Sequence, residues 1–589
     1  MAANTRTFPG RISDGWLSTP QGCNSGVAPN LILPTQYAFA INTACRGGWI
    51  KPRGGWVKCT LDWQGETEAE TAFKNLLFQE MSGYMNDAGA AFLMSSIGGR
   101  QFKIDIDNDR NFLASEITLA GDLNNPTFQI AWSVQAENFW ILQDGQSLPL
   151  IWDGASLRRA IPALRQVPVG NQMAYYDNRL WVAKGREYVA GNQAFDQSGK
   201  GSSAVNYRDS MLFFTENVFL AGGGAFQVPV QSGNITGFKI IASANTALGQ
   251  GELIVTTTSK AFATRVPSDR LLWQNTTYPI QRVLQLTRGA YSQDCLVNVN
   301  EDIFCRTKNG VSSIMFTVRN QGQWGSRVLS TEMDRIFSQD PEDFLSFCRG
   351  CEFDNRLLMT ASPGLSRGHG VYWNCLVPLD FFPISSMGQT SPPAWDGIWT
   401  GLRFLKMVTV QHYGVERCFA FVLNQFDKIE LWELTKDEKE DNDGEARPIT
   451  WSMESRSMNF GNAFDMKELM SSDLYFDEVN GSVNFTAQYR PDGYPCWIDW
   501  ETWDACATTQ QCDWTGACTT LANYKPQYRP QRQLKQPADT FQPAPSNKLF
   551  RTFFELQVRL QMVGYARMKQ MRINAINKPD LPEMEQGRG

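Results

Sequence analysis

The feature that most constrains the fold of this chain is a series of short apolar runs, each divided by a two-residue turn signal. These signals include Gly98-Gly99, Asp144-Gly145, Asp177-Asn178 and Asn309-Gly310. Asn-Gly and Asp-Gly pairs between alternating apolar residues are the strongest short-range indication of a β-hairpin. The hairpins predicted on this pattern cover residues 90–107, 138–154, 173–192, 251–266 and 295–314.

Serial hairpins without long helices between them are typical of β-propeller blades whose sequence repeat has decayed. The sequence therefore predicts an all-β fold, with a β-propeller-like body, additional β-sandwich or hairpin segments and an extended N-terminal arm. A jelly roll or a stacked sandwich is the alternative architecture. Two windows, 66–77 and 330–345, favour short helices.

The length of 589 residues exceeds what one hydrophobic core accommodates, so two to four domains are expected, or one closed repeat architecture with additions. Residues 1–65 are assigned to an N-terminal arm and first strands. Within them, residues 22–58 are rich in Gly, Pro and Asn, which predicts an extended arm with tight turns, suited to lie along a neighbouring subunit. Residues 66–435 are assigned to the propeller-like body, and the charged run 436–448 to a solvated linker loop.

Residues 449–589 are predicted to form a C-terminal β-rich region. Strand-like runs on either side of Asn480-Gly481 indicate a hairpin turn there. The strands of this region are expected either to make a small sandwich or to pair with the N-terminal region.

Composition and charge narrow the function classes. A net charge of −6 disfavours sequence-wide nucleic-acid binding, whereas passive contact with DNA, as in a conduit wall, stays compatible with it. Aromatic residues make up 12% of the chain, which favours β structure and assembly interfaces. Residues 1–12 lack the apolar core of a signal peptide, and no run of about 18 apolar residues occurs, so we expect cytoplasmic synthesis without membrane insertion.

Few residues point to catalysis. The two histidines, His369 and His412, lack a partner motif and are interpreted as surface or packing residues. The glycines 222–224 lack the strand and lysine of a phosphate-binding loop and are interpreted as a turn. We predict that the chain is not an enzyme and has no catalytic, cofactor-binding or metal-binding residues.

Carboxylate pairs are frequent, but a glycosidase needs two carboxylates at a fixed separation across a cleft, which sequence does not reveal. Asp105, Asp107 and Asp109 resemble half of a calcium loop without its Gly and closing Glu, and are interpreted as turn acids. The further pairs are Asp477 with Glu478 and Asp499 with Glu501.

Thirteen cysteines without a secretion signal indicate mostly reduced, buried thiols. Cys348 and Cys351 form a C-x-x-C pair, but neither a βαβ setting nor a second pair at zinc spacing accompanies it, and Cys375 is the nearest downstream thiol. A second group could hold zinc, form two disulfides or stay free, and free thiols are favoured. Its members are Cys496, Cys506, Cys512 and Cys518.

Four tryptophans accompany this second cysteine group. Clusters of tryptophan more often anchor an interface, and alternatively they stack on sugar rings. These residues are Trp497, Trp500, Trp503 and Trp514.

Short motifs along most of the chain carry a family resemblance. In the N-terminal region they are Asn24-Ser-Gly-Val-Ala-Pro-Asn-Leu, Asn42, Arg46-Gly-Gly and Pro52-Arg-Gly-Gly. In the body they are Asn178-Arg-Leu-Trp-Val, Ile303-Phe-Cys-Arg and Asn309-Gly-Val-Ser-Ser. Near the end they are Asp473-Leu-Tyr-Phe, Gly481-Ser-Val, Tyr489-Arg-Pro-Asp-Gly, Trp497, Phe554-Glu-Leu-Gln-Val-Arg-Leu and Gly564-Tyr-Ala-Arg. Together these motifs resemble the tail nozzle proteins of podoviruses.

The resemblance implies a structural protein of the bacteriophage tail, made in the host cytoplasm and located in the virion. It implies self-association into a ring, with a hexamer expected, below the adaptor and portal-proximal tail proteins. Tail fibre or spike proteins would be neighbours, and double-stranded DNA would pass without specific binding, which an acidic wall suits. No catalytic residues carry over from this family.

Two other functions remain open on the sequence. One is a phage adhesin, or another carbohydrate-binding or carbohydrate-cleaving β-propeller, with Trp497 to Trp514 and loop acids at its site. The other is a secreted bacterial lectin or hydrolase, which the missing signal peptide disfavours.

Overall fold

The computed structural model describes residues 10–16, 21–194, 208–214, 226–241, 251–264, 280–284, 289–315, 328–382, 385–386, 389–390, 393–506, 531–537 and 551–578. Strands make up 55% and helices 10%, so the fold is all-β, as predicted. The chain divides into two compact units. The terminal unit comprises Met1–Trp56, Val377–Thr400 and Lys436–Gly589, and the propeller unit comprises Val57–Leu376 and Gly401–Thr435.

Five successive sheets of the propeller unit are arranged as the blades of a β-propeller. In each blade, consecutive strands form an antiparallel meander, and the first strand of one meander lies beside the first strand of the next. These first strands are therefore the inner strands of the propeller. They are Phe78–Met85, Trp132–Ala136, Met173–Tyr176, Ile235–Ile241 and Leu296–Val299.

The outer strands complete each blade in chain order. The first blade adds Ala91–Ile97, Arg100–Asp105, Asn111–Glu116 and the preceding Thr60–Asp62, and the second adds Phe139–Gln143, Leu150–Trp152 and Leu157–Arg159. The third adds Arg179–Lys184, Glu187–Ala190 and Phe226–Gln227, and the fourth adds Glu252–Thr257, Ala261–Thr264 and Ile280–Leu284. The fifth adds Asp302–Thr307 and Gly310–Ser313.

A further sheet follows the five blades along the chain. Its strands are Gly350–Phe353, Arg356–Ser366, Gly370–Asp380, Trp399–His412, Val415–Leu423, Ile429–Leu434 and, from the start of the unit, Trp56–Lys58. Phe419 and Phe421 of this sheet pack with Phe112 and Phe73 in one buried apolar cluster, so the sheet shares a core with the first blade.

The predicted hairpins are present. Ala91–Ile97 pairs with Arg100–Asp105, and Met173–Tyr176 pairs with Arg179–Lys184. Asp177 and Asn178 between the latter strands have φ of 52° and 56°, the left-handed conformation that a type I′ turn requires.

Helices are few and short in the residues that the structure describes. Thr67–Asn75 is an α-helix, as the window 66–77 predicted, and it buries Ala69 and Phe73. The window 330–345 instead contains a 3-10 helix, one α-helical turn (Asp334–Phe337) and a second 3-10 helix that starts after Pro341. The 3-10 helices are Pro29–Leu31, Pro162–Leu164, Arg208–Leu212, Val230–Ser232, Gln293–Cys295, Leu329–Met333 and Glu342–Phe347. No helix among the described residues meets the length and apolarity needed to cross a membrane.

The terminal unit is built on a sheet that joins both ends of the chain. Its strands run in the order Tyr37–Ile41, Thr450–Ser455, Leu556–Asn577, Lys467–Pro491 and Ile498–Cys506, and Arg11–Trp16 also pairs with Leu556–Asn577. The remaining strands are Thr43–Ala44, Lys51–Pro52, Ser385–Ser386, Gln389–Thr390, Ala394–Trp395, Glu440–Asn442, Ala446–Pro448, Gln531–Leu534 and Thr552–Phe553.

Residues 21–56, expected as an arm along a neighbouring subunit, are instead built into this unit. Tyr37 and Trp56 are each only 1% exposed. Arg53 is 2% exposed at its side chain and bonds to both carboxylate oxygens of Asp441, at 2.7 and 2.8 Å. The Gly- and Pro-rich composition serves turns between short strands, and the buried aromatics supply the core contacts.

Two further expectations differ from the structure. Residues 436–448, expected as a linker loop, contain the paired strands Glu440–Asn442 and Ala446–Pro448. The turn expected at Asn480-Gly481 is wrong, because Lys467–Pro491 continues through it as one strand. Residues 481–483 bulge opposite Gly564, since Asn480 pairs with Tyr565 and Asn484 with Val563.

Candidate functional site

Five charged side chains of the propeller unit meet near its inner strands. Glu80 and Lys239 lie on inner strands, and Asp294 lies in the 3-10 turn before Leu296–Val299. Arg349 immediately precedes strand Gly350–Phe353, and Lys406 lies on Trp399–His412. These five residues are termed the inner charge cluster.

Lys406 is the centre of the hydrogen bonding in this cluster. Its ammonium donates to the two carboxylate oxygens of Glu80, at 2.9 and 2.8 Å, and to Asp294 Oδ1 at 2.9 Å. Asp294 Oδ2 lies 2.7 Å from Nη1 of Arg349. The Ser133 hydroxyl donates to Glu80 Oε1 at 2.8 Å. Both carboxylates are therefore bound by cations, which is what buried carboxylates require.

The pKa values of the two carboxyl groups are shifted in opposite directions. Burial raises the pKa of Glu80 to about 7, against the lowering effect of Lys406. Burial also acts to raise the pKa of Asp294, but Lys406 and Arg349 together hold it below its ordinary value. Burial lowers the pKa of Lys239, and Asp294 opposes that shift.

A carboxyl with a raised pKa beside one with a lowered pKa can separate an acid from a base. Here both oxygens of Glu80 already bind protein donors, and its side chain is only 3% exposed. Asp294, with a side chain 20% exposed, presents the open side of the cluster together with half-buried Lys239. The arrangement therefore ties the inner strands to one another, and Asp294 and Lys239 are its more exposed members.

Sequence reasoning missed this cluster. Glu80 and Lys406 stand 326 positions apart, so no local motif connects them. The local signal was a single charged residue inside a strand-like apolar run, as in Leu-Phe-Gln-Glu-Met for Glu80 and Phe-Leu-Lys-Met-Val for Lys406. A lone charge at a core position of a strand indicates a buried partner, without identifying it.

The two histidines lie where the sequence interpretation put them, in packing positions of the propeller unit. His369 is 4% exposed and its Nδ1 lies 2.7 Å from the carbonyl oxygen of Leu76. His412 is 5% exposed and its Nδ1 accepts a hydrogen bond from the backbone of Ala91 at 3.2 Å. Burial, assisted by Arg417, lowers the pKa of His412.

Nine of the ten cysteines whose side chains the structure describes are buried, as predicted, and Cys496 is exposed. The C-x-x-C thiols face different neighbours: Cys348 contacts Thr360, and Cys351 lies 3.9 Å from Cys418 Sγ. Within the described ranges no group of three or more metal-ligating side chains occurs. Cys512, Cys518, Trp514 and the glycines 222–224 lie outside the described residues, as does the side chain of Cys506.

Carboxylates of the predicted acid pairs bind neighbouring groups of the protein. Asp107 Oδ1 accepts from the backbone nitrogens of Asp109 and Asn111, as in a turn. Asp477 and Glu478 both pair with Arg567. Asp105 lies 2.7 Å from the ammonium of Lys103.

The three described tryptophans of the predicted cluster lie at the edge of the terminal sheet and form what we term the tryptophan edge. Trp497 contacts side chains on one face of the sheet, whereas Trp500 and Trp503 contact Tyr489 and Phe485 on the other face. The Trp497 ring contacts the guanidinium groups of Arg490 and Arg559, 4.5 and 4.7 Å from its centroid. Trp503 stacks on Phe485 with centroids 5.0 Å apart. The Trp500 indole donates to the carbonyl oxygen of residue 535 at 2.7 Å.

The acids of this edge lie among the same residues. Gln488 donates to Asp499 at 2.6 Å, and Arg532 bonds to Glu501. All three tryptophans are half-buried. The tryptophan edge is therefore a set of cation–π and stacking contacts that remains partly open to solvent.

Comparisons with known proteins give no family. No protein-family model and no curated protein matches the chain. Similar solved structures include BBS1N in complex with ARL6DN (9% identity, 65% of this chain, 98% of that chain, TM-score 0.36). A glycoside hydrolase (9%, 84% and 99%, 0.25) and Trypanosoma rangeli sialidase (7%, 92% and 94%, 0.29) are also similar. These TM-scores lie below 0.5, so neither activity nor partners are inferred from them.

Proposed function

We propose that this β-propeller protein is a structural component of a bacteriophage tail, where it forms a ring around the distal DNA conduit as a nozzle. The chain is not an enzyme in this proposal. Its neighbours are the adaptor and portal-proximal tail proteins, together with tail fibres or spikes. Double-stranded DNA passes without sequence-specific contacts.

The observation that carries the proposal is the pair of long antiparallel strands in the terminal unit. Lys467–Pro491 has 25 residues and Leu556–Asn577 has 22, against about 5 or 6 in an ordinary strand. The C-terminal motifs that resemble tail nozzle proteins fall largely on these two strands. Arg572 bonds to Asp473 at 2.6 Å across them, and Arg567 to Asp477.

Motifs in the body support the same proposal. Asn178-Arg-Leu-Trp-Val forms the turn and outer strand of a blade, where Trp181 is fully buried. Ile303-Phe-Cys-Arg lies on the middle strand of another blade, and Arg306 there bonds to Asp340 at 3.0 Å. When two proteins share a framework and the rest of their sequences diverge, motifs on the framework strands are the ones expected to remain alike. The motifs of the body lie on blade strands, as this expectation requires.

The contacts of Glu80 and of the two histidines favour a structural role over catalysis. Lys406 and Ser133 occupy the oxygens of Glu80, and the two histidines pack against backbone groups. A catalytic acid or base must instead reach a substrate proton. These contacts support a non-enzymatic assignment of the described residues.

The test is the mass and symmetry of the full-length protein. We expect multi-angle light scattering to give a hexamer, alone or with an adaptor protein, and negative-stain electron microscopy to show a six-fold ring with a central opening. A monomer or trimer that stays so in the presence of tail adaptors would overturn the proposal.

A second candidate function is carbohydrate binding by an adhesin-like propeller protein. The specific observation in its favour is the tryptophan edge, where the half-buried Trp497 ring packs on Arg559, and Gln488 bonds to both Arg559 and Asp499. Aromatic rings beside carboxylates suit the apolar faces and hydroxyls of sugars.

Binding of the full chain to purified bacterial polysaccharides tests this second function. Trp497→Ala should abolish binding, whereas Trp500→Ala, on the opposite sheet face, and Phe464→Ala, at a residue 88% exposed in the same unit, should leave it unchanged. Equal binding by all variants, or none by the parent, excludes the tryptophan edge as a glycan site.

A further inference from the structure

The two cysteines of the C-x-x-C pair have different neighbours in the propeller unit. Cys348 Sγ lies 3.6 Å from Oγ1 of Thr360, whereas Cys351 Sγ lies 3.9 Å from Sγ of Cys418, 67 positions further along the chain. Side chains an odd number of positions apart in an extended segment point to opposite faces, which accounts for the difference. The thiol that faces Cys351 is therefore Cys418, and these two residues are termed the thiol pair.

The thiol pair joins two strands that are not neighbours in their sheet. Cys351 lies on Gly350–Phe353, which is the end strand, and Cys418 lies on Val415–Leu423, which is fifth in the strand order. Three strands separate them in that order. The sheet therefore bends far enough for its end strand to meet its fifth strand at the two sulfurs.

Two hydrogen bonds beside the thiol pair hold the end strand in this position. The hydroxyl of Thr409 donates to the carbonyl oxygen of Glu352. The backbone nitrogen of Asp354 donates to Oε2 of Glu416 at 3.1 Å. The contact between the sulfurs is therefore supported by hydrogen bonds of adjacent residues on the same strands.

The two thiols differ in their access to a reagent and in their acidity. Cys351 is 7% exposed, and Cys418 is fully buried. Contact with Cys351, together with burial, raises the pKa of the Cys418 thiol, so Cys418 keeps its proton. An end strand of a sheet opens more readily than an inner strand, because it has a neighbour on one side. A water-sized oxidant therefore reaches Cys351 first.

We propose that the thiol pair is a redox modification site, at which a peroxide converts the two thiols into a disulfide. The Cys351 sulfur attacks a peroxide oxygen, the O–O bond breaks and one water leaves, which gives a sulfenic acid at Cys351. The Cys418 sulfur then attacks the Cys351 sulfur, the S–O bond breaks, and the hydroxyl leaves as water with the Cys418 proton. Two thiols are oxidised, and one hydrogen peroxide is reduced to two waters.

The disulfide connects the end strand of the sheet to its fifth strand. Its formation brings the two sulfurs from 3.9 Å to about 2 Å. A cross-link between residues 67 positions apart stabilises the fold by restricting the unfolded chain. A reducing compartment keeps the pair as thiols, and an oxidising one closes it. This inference is independent of a role in a phage tail.

Hydrogen peroxide is the probe, applied to the folded, full-length protein. The protein is then unfolded in urea with N-ethylmaleimide and digested with trypsin without a reducing agent. The tryptic peptides 350–356 and 418–428 each contain one cysteine of the thiol pair and no other. We expect mass spectrometry to find these two peptides linked to each other, and dithiothreitol to separate them. Oxidation of the exposed Cys496 in the same digest shows that peroxide has acted.

Cys418→Ala is the variant that separates the two steps. It should give no cross-link and should instead leave a sulfenic acid at Cys351, which dimedone labels. Cys375→Ala, at another buried thiol of the same unit, is the matched control and should form the cross-link like the parent. Oxidation should raise the midpoint of thermal unfolding of the parent and of Cys375→Ala, but not that of Cys418→Ala.

The proposal is overturned if the parent shows no link between peptides 350–356 and 418–428 while Cys496 is oxidised. A disulfide between Cys351 and Cys348 in place of that link overturns it equally, and trypsin separates these two residues because it cleaves after Arg349. Both outcomes are measured on the parent, so the test stands even where a variant fails to fold.

Discussion

Lys406 and Glu80, 326 positions apart in the chain, form a two-point ion pair in which the ammonium lies 2.9 and 2.8 Å from the two carboxylate oxygens. Lys406→Met would leave Glu80 buried with Ser133 as its remaining hydrogen-bond donor among the described residues. Loss of one partner of a buried ion pair costs about 3–5 kcal/mol. We expect a decrease of this size in the free energy of unfolding, measured with urea.

Two further variants serve as controls for that experiment. Lys184→Met, at an exposed position of the same unit, should change stability by less than about 0.5 kcal/mol. The double variant Lys406→Met with Glu80→Met should recover part of the loss, because no unpaired carboxylate remains. A double variant as unstable as the sum of its single variants would contradict a direct interaction.

Glu80 should make stability fall as pH rises. Its pKa of about 7 in the folded protein exceeds its ordinary value of 4.5, so the folded state holds the proton more tightly than the unfolded state. The stability from this proton is complete below pH 4.5 and is lost as pH rises through 7. Urea unfolding of the parent and of Glu80→Gln at several pH values should show the parent losing stability relative to the variant between pH 5 and 8. A constant difference between the two proteins would contradict the raised pKa.

The hairpins could be predicted from sequence because their determinants are local. Asp177-Asn178 adopts the turn that its residue types favour, whatever lies elsewhere in the chain. Asn480-Gly481 carries an equally strong turn signal but forms a bulge, because a long partner strand pairs on both sides of it. Local propensity gives way there to tertiary pairing. The inner charge cluster depends on such distant pairing throughout, so no local motif announces it.

Glu433 should respond to pH in the opposite sense from Glu80. It accepts from Nε of Arg417 at 2.7 Å and Nε of Arg110 at 2.6 Å. Burial acts to raise its pKa, but the two guanidinium groups together hold the pKa below its ordinary value. Such a group stabilises the fold above its ordinary pKa, and this stability is lost as pH falls through the lower folded value.

Glu433→Gln should therefore cost about 1.5–3 kcal/mol at pH 7, the range for a charge-assisted hydrogen bond, and less in acid. Urea unfolding at pH 7 and pH 4 measures the change. Glu301→Gln, at an exposed carboxylate of the same unit, is the control and should show no such trend. A cost that grows towards pH 4 would be inconsistent with these contacts.

Gly564 and Gly481 provide a matched test of the bulge between the two long strands. Both have positive φ, 107° and 72°, so alanine at either position meets backbone strain. A Cβ at Gly564 would lie 2.7 Å from the carbonyl oxygen of Ser482, whereas a Cβ at Gly481 meets nothing within 4 Å. Gly564→Ala should be more destabilising than Gly481→Ala by about 1–3 kcal/mol, as overpacking predicts. Equal thermal stability of the two variants would show that the bulge relaxes freely.

The pairing of Tyr37–Ile41 with Thr450–Ser455 has a consequence for biosynthesis. A ribosome makes the first of these strands long before its partner, and at about 5–20 residues per second the delay is tens of seconds. The blades can form in that interval, whereas the early strand, bridged by Cys23 and Ile398, still lacks its partner strand. A nascent chain stalled before residue 450 would carry a complete set of blades and an incompletely paired, aggregation-prone strand, so a chaperone that covers this strand should improve the yield of folded protein.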